Sequence, residues 1–277
     1  MPLAAIGAAL LSALIHASWN AVLKGGRDRI TDSFLVAVGG IAVGSALMLA
    51  LGPPPREAWG YLALSIAIHL AYWFTLFKGY DAGDLSHVYT LSRGSAPLLV
   101  ALGAALTAGE FPAPMKMIGI ALVSAGVLLV GASPRAPLKA TLWALAIGLC
   151  ISGYSLNDAL GARAAGDALL YVGWVTTFSS LPMAAFALWR RGPKRLLTDA
   201  AAAPWRGIAV GAISLGGYAL VLWAQTFAPI AQVTALRETS VVFAALIAWL
   251  FLRERLGARR WLGAGVVAAG AGLIAFG

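Results

Sequence analysis

Ten stretches of about 20 mostly apolar residues follow one another with short connections, roughly at 2–22, 33–51, 59–80, 84–109, 112–132, 138–160, 167–189, 205–227, 229–252 and 257–276. Each is long enough to cross a bilayer as a helix, so the chain reads as an all-α membrane protein with ten transmembrane helices and little water-soluble mass. Composition agrees, with 60% hydrophobic and 11% charged residues against about 25% charged in soluble domains. The first stretch reads as retained rather than as a signal peptide, because no Lys or Arg precedes it and its apolar run is long. Cys150 is the single cysteine, so no intrachain disulfide forms, and it serves as a small packing residue.

The net charge of +9 has a topological explanation. Connections on one side of the predicted spans hold Lys24, Arg27, Arg29, Lys78, Arg135, Lys139, Arg190, Arg191, Lys194, Arg195, Arg206, Arg253, Arg255, Arg259 and Arg260, whereas the other side holds Arg56, Lys116 and Arg163. The positive-inside rule puts the first set in the cytoplasm and both termini outside. The expected partners are therefore a lipid bilayer and a small-molecule substrate, with no nucleic acid. Only Arg93 and Arg237 remain, both inside predicted helices.

Those two arginines are related by an internal repeat. Sliding the chain by 144 residues lays Thr90 on Thr234, Arg93 on Arg237, Glu110 on Glu254, Gly119 on Gly263 and Gly126 on Gly270. A shift of 137 lays Ser18-Trp19-Asn20 on Ser155-Leu156-Asn157. Residues 1–133 thus form a first five-helix repeat and residues 134–277 a second, joined through Arg135 to Lys139 into one membrane domain. An odd number of spans per half turns the second repeat upside down, giving two inverted five-helix repeats with a substrate site near the midplane between them.

With this duplication, the Gly109-Glu110 and Arg253-Glu254 pairs closing the fourth and ninth spans, and the glycine-rich segments that follow them, the whole chain resembles the drug/metabolite transporter superfamily, EamA type. The resemblance implies that spans 1, 3, 4, 6, 8 and 9 line a central cavity while spans 5 and 10 pack at the periphery. It also implies cytoplasmic termini, opposite to the charge count. Relatives handle amino acids, sugars, nucleotide sugars, choline-like cations and drugs, so it leaves the substrate open.

Helical spacing gathers the intramembrane polar residues into stripes on the same six spans. Span 1 aligns Ser12, His16, Trp19 and Asn20; span 3 aligns Ser65, His69, Tyr72 and Trp73; span 4 aligns Ser86, Tyr89, Thr90 and Arg93. Span 6 offers Tyr154, Asn157 and Asp158, span 8 Ser214, Tyr218 and Gln225, and span 9 Thr234, Arg237 and Glu238. Span 7 carries only scattered hydroxyls, which suits an outer position. The candidate substrate-binding set is His16, Trp19, Asn20, Tyr72, Trp73, Tyr89, Arg93, Tyr154, Asn157, Tyr218, Thr234, Arg237 and Glu238.

A charge at the membrane centre costs about 3 kcal/mol on insertion scales, so it must face a partner or a wet cavity. Glu238 and Arg237 stand about 100° apart on their helix, which turns Glu238 toward Arg93 rather than toward its neighbour. One reading is a structural cluster between the halves; the other is contact with substrate or a coupling proton, with Glu238 as the proton-coupling residue. Trp19, Tyr72, Trp73, Tyr89, Tyr154, Tyr218 and Trp223 supply aromatic faces for an apolar or cationic moiety. Trp59, Trp143, Trp189, Trp205 and Trp261 fit the interfacial belt.

His16, His69 and His87 lack the close spacing of metal-ligand motifs, so no metal and no cofactor is expected. Glu110 and Glu254 read as interfacial ion pairs with Lys116 and with Arg255 or Arg259. Glycines of spans 5 and 10, among them Gly119, Gly126, Gly263, Gly265, Gly270 and Gly272, permit close helix contact, and Pro97 and Pro182 are candidate kinks.

No phosphate-cradling motif or soluble nucleotide-binding domain occurs, so an ion or solute gradient must drive movement. The expected function is a non-enzymatic secondary active transporter in a bacterial cytoplasmic (inner) membrane. It exports a small amino-acid-like or cationic metabolite or drug by alternating access with proton coupling, as a monomer or weak homodimer. The alternatives are a transporter of sugars or nucleotide sugars, an intramembrane enzyme acting on a lipid-linked substrate, and a channel.

Overall fold

The computed structural model describes residues 1–24, 29–131, 133, 135–202, 204–251 and 253–277. Arg27, in the topology count, Pro134, at the boundary between the repeats, and Leu252, closing span 9, lie outside the described residues, as do the side chains of Lys24, Arg29, Arg195 and Arg206. The helices are α1 (Leu3–Lys24), α2 (Arg29–Leu51), α3 (Arg56–Ala82), α4 (Leu85–Thr107), α5 (Pro114–Gly131) and α6 (Leu138–Ala165). They continue with α7 (Ala168–Arg191), α8 (Pro193–Ala202), α9 (Pro204–Phe227), α10 (Ile230–Arg237), α11 (Ser240–Leu250) and α12 (Ala258–Phe276).

Eight helical runs among the described residues are long and apolar enough to cross a membrane: α1, α2, α3, α5, α6, α7, α9 and the α10–α11 run. The expected fourth and tenth spans coincide with α4 and α12, of 23 and 19 residues. His87 and Arg93 in α4, and Arg259 and Arg260 in α12, dilute their apolarity. The short α8 is a helix that hydropathy did not announce.

The expected ninth span is not one uninterrupted helix. The α-helical ladder gives way at Glu238 and Thr239, whose amides bond Ala235 O at 3.0 Å and Leu236 O at 3.1 Å. The Val241 and Val242 amides likewise reach back three residues, to the carbonyls of Glu238 at 3.1 Å and Thr239 at 2.9 Å. The Thr239 hydroxyl donates to Leu236 O at 2.7 Å, the back-bonding that lets threonine compete with the ladder. A tight turn of this kind inside a helix is a natural place for a hinge, and here it presents Glu238 to the bundle interior. α4 and α7 by contrast run unbroken through Pro97 and Pro182.

The repeated "GE" and "RE" pairs share one backbone device. Gly109 and Arg253 both have positive φ, 66° and 52°. The amide of the glutamate after each reaches back six residues, Glu110 to Ala104 O at 3.1 Å and Glu254 to Ala248 O at 3.0 Å. This is the Schellman closure of a helix, which favours glycine at the left-handed position. Arg253 occupies it at a steric cost, so Arg253→Gly is expected to raise stability by about 0.5–1 kcal/mol, read as a higher detergent-solubilised melting temperature.

α5 packs most extensively on α12. A Cβ on Gly126 or Gly263 would sit 2.8 Å from the other's carbonyl oxygen, and one on Gly119 2.8 Å from Gly270 O. Glycine lets these backbones touch. Gly265 and Gly272 face open space and play no such part. This peripheral pair supports α4 and α10, and one end of the bundle is filled by small residues, Ala5, Ala8, Ala9, Ala224, Ala228 and Ala231, around Val100 and Ile230.

Candidate functional site

Packing at one end and separation at the other leaves a central cavity of about 390 Å³. The structure brings ten expected site residues to its wall: His16, Trp19 and Asn20 from α1, Tyr72 and Trp73 from α3, Tyr89 and Arg93 from α4, Tyr154 from α6, Tyr218 from α9 and Arg237 from α10. Trp19, Asn20, His69, Trp73, Tyr80, Ser179 and Ser180 also wall a wider vestibule of about 490 Å³, which reaches Asp32 and Ser33 at the start of α2 and Leu85 at the start of α4. The cavity therefore continues toward the end where the basic connections gather. A third, more apolar groove of about 350 Å³ runs between α1, α4 and α11 and shares His16, Asn20 and Tyr89.

Three expected site residues lie elsewhere, each for an identifiable reason. Glu238 is 2% exposed and held by Arg93, whose Nε donates to Oε2 at 3.1 Å while Nη2 lies 2.7 Å from Oε1. The Nη2 contact falls outside hydrogen-bonding geometry, so the Nε bond is the directed one and the second contact is ionic. Asn157 donates to Tyr61 O at 2.8 Å and Asp158 Oδ1 at 3.2 Å, tying α6 to α3 instead of facing solute. Thr234 bonds Ile230 O at 2.9 Å and accepts from Gln225 at 3.0 Å, away from the cavity. Trp223 is 46% exposed and packs on Phe227, so it too is no cavity residue.

The wall is aromatic and braced. His69 stacks on Tyr154 at 4.6 Å, and Tyr72 meets both Tyr154 and Trp73 edge-on at 5.9 and 5.5 Å. His16 stands edge-on to Trp19 at 5.4 Å, and the charges of Arg93 and Arg237 act on it. Ser12 donates to Gly217 O at 2.7 Å, binding α1 to α9 at the wall. Pairs of this kind hold rings in fixed poses, and so prepare a surface for an apolar or planar group.

Charge in this cavity is one-sided. Arg93 is engaged by Glu238, while Arg237 lines the wall with its buried Nε lacking any hydrogen-bond partner. No Asp or Glu is among the residues that line the central cavity. A guanidinium on a wall without a carboxylate favours an acceptor, so the site suits an anionic or carbonyl group. Among the described residues no cluster of His, Cys, Asp and Glu has the form of a metal site.

Some cavity residues escaped the sequence reading. Thr176, Ser179 and Ser180 of α7 line it, although the scattered hydroxyls of that span pointed to an outer position. Their three- and four-residue spacing was a usable signal. Val36 and Gly40 of α2 also contribute, because α2 crosses α9 closely: a Cβ on Gly211 would lie 2.3 Å from the carbonyl carbon of Gly39.

The opposite end is clamped by a residue counted only as a loop charge. Arg163, near the end of α6, pairs with Glu110 at 2.7 Å and donates to Gln225 O at 2.8 Å and Ala228 O at 3.1 Å. Glu110 also accepts from the Ile230 amide at 2.7 Å, capping α10. The expected Glu110–Lys116 pair gives way to this arrangement, since Lys116 donates instead to Ile274 O at 2.7 Å.

Comparison with known proteins places this architecture. A solved structure titled "Crystal structure of protein" superimposes with a TM-score of 0.76 at 18% identity, covering 98% of both chains, a likeness of fold alone. A Sinorhizobium sp protein described as "Uncharacterized transporter in cobO 3'region" is 30% identical over 131 residues, 44% of this chain and 92% of the relative. The model of the EamA-like transporter family matches residues 3–132 and again 138–276. Matched over both halves, the chain belongs to the EamA-like transporter family, within the drug/metabolite transporters, and is a multi-pass membrane transporter.

Proposed function

We propose that the chain is a secondary active exporter whose ten spans form two inverted repeats, 1–133 and 134–277. The repeats rock against each other to expose the central cavity to one side at a time. Support comes from a cavity that continues to the basic end of the bundle while the Glu110–Arg163 clamp and a small-residue core fill the other. The basic end is the cytoplasmic one by the positive-inside rule, so solute loads from inside a bacterial inner membrane.

The solute is a small amino-acid-like molecule bearing a carboxylate. The observation that carries this reading is Arg237 on an aromatic wall whose other arginine, Arg93, is already engaged by Glu238. Its carboxylate meets Arg237, and its body lies against Tyr72, Tyr154 and Trp19. A purely cationic solute fits less well, because Glu238 is sequestered by Arg93 and the lining offers no carboxylate.

Thermal-shift screening of amino acids, organic acids, quaternary amines and sugars on the purified protein, followed by counterflow of the hits in proteoliposomes, tests this. Carboxylate solutes are expected to stabilise it and to exchange. Arg237→Gln is expected to lose roughly ten- to a hundredfold in solute affinity, the worth of one charge-assisted bond, without loss of stability. Stabilisation by sugars alone, or flux without saturation or exchange, overturns the proposal.

A further inference from the structure

The break at Glu238 and Thr239 lets the two pieces of the ninth span take different neighbours. α10 packs on α4 as well as α1, whereas the main neighbours of α11 are α1 and α12. Space therefore opens between α11 and α4, the apolar groove of about 350 Å³. Ala244, Ala245 and Ala248 of α11 line it and are too short to fill it. The α11 part of the lining runs from Ser240 to Ala248, roughly 12 Å at the rise of a helix. Ala244 is exposed, so the groove opens to the outside of the bundle.

Glu254, Leu256 and Arg260 form one end of this groove. Glu254 and Leu256 also line a second cavity, of about 390 Å³, with Trp249, Arg253, Arg255 and Trp261. The two spaces thus adjoin at the connection between α11 and α12, on the basic side of the bundle. Trp249 and Trp261 meet edge-on at 5.7 Å and both are exposed, as suits rings at headgroup level. Arg253, Arg255 and Arg260 are exposed as well. Glu254 is the one acidic group among the described residues of the two linings, and it is engaged within the protein.

We propose that these adjoining cavities bind an anionic phospholipid from the leaflet at the basic end, with one acyl chain in the groove and the phosphate at Arg253, Arg255 and Arg260. Within a bilayer an apolar chain gains little by leaving other chains, so the groove fixes where the lipid sits and the arginines decide which lipid it is. A zwitterionic headgroup brings its own cation to the same arginines and fits less well. The polar solute of the central cavity is a poorer occupant, because alanine, valine and isoleucine make up most of the α11 face. His16, Asn20 and Tyr89 line both the groove and the central cavity, so a seated chain supports that shared wall from behind. The site requires the chain to lie in a membrane, and not that it move any solute.

Native mass spectrometry of the full-length protein in nonionic detergent, titrated with phosphatidylglycerol or with phosphatidylcholine of the same chains, tests this. The first phosphatidylglycerol is expected to bind about tenfold more tightly than the first phosphatidylcholine, and Arg253→Gln, Arg255→Gln and Arg260→Gln combined to bring the two within about twofold. Ala245→Phe, whose ring takes the chain's place, is expected to weaken both lipids several-fold. Equal binding of the two lipids by wild type overturns the proposal, as does a preference that survives the triple variant. Glycerol 3-phosphate that competes as well as the whole lipid would mark a bare phosphate site and overturn it too. Unweakened binding in folded Ala245→Phe removes the chain from the groove and counts equally against the proposal; if that variant does not fold, the exposed arginines decide alone. The readout needs no transported solute, so a failed titration leaves the transport reading intact.

Discussion

Glu238→Ala and Arg93→Ala are each expected to lower stability by about 3 kcal/mol and to abolish transport. Both partners are almost inaccessible, with side-chain exposures of 2% and 8%, and they touch at 2.7 Å. Removing either deprives the other's buried charge of its contact partner, and that imbalance, rather than the lost contact, is the larger cost. The paired replacement Arg93→Met with Glu238→Gln should therefore recover most of the loss, since two neutral groups of similar length need no counter-charge. Denaturation with increasing SDS fraction in mixed micelles measures all four proteins. Single variants within about 0.5 kcal/mol of wild type would show that the pair is solvated.

That pair was legible from sequence because electrostatic cost in lipid is steep and helical angles are rigid. A charged residue in a greasy span demands an explanation, and about 100° between Arg237 and Glu238 turns only one of them toward Arg93. Periodicity says which face of a helix is polar, but not what that face meets. Asn157 and Thr234 belong to polar stripes, yet their partners are Tyr61 O and Gln225, contributed by other helices. Tyr171 and Tyr218, whose hydroxyls donate to Asp158, come from 13 and 60 residues away along the chain, and no local pattern announces such a meeting. The turn at Glu238 and Thr239 was hidden for another reason: three-residue bonds replace four-residue ones without disturbing hydropathy.

The same limit applies to Arg163, which a charge count treats as a mark of sidedness and the fold uses as a clamp. Glu110→Ala is expected to release the closed end of the bundle. The Glu110 carboxylate makes an ion pair with Arg163 and caps α10 through the Ile230 amide, and the guanidinium it orients also binds Gln225 O and Ala228 O. The groups are 19% and 30% exposed, so the ion pair is partly screened. A lost cap and a weakened charge-assisted network together amount to about 2 kcal/mol, which shifts a two-state equilibrium roughly thirtyfold. Ala231→Cys, a position 1% exposed in α10, introduced with Cys150→Ser, reports the change through its reaction with a membrane-impermeant maleimide added on the closed side. Labelling should be at least tenfold faster in Glu110→Ala than in the parent. Under the proposed rocking of the two repeats, solute that binds Arg237 is expected to change this labelling rate, and Arg237→Gln to erase that response. An unchanged labelling rate in Glu110→Ala would mean that small-residue packing alone holds the end shut, and that the ion pair is ornament to it.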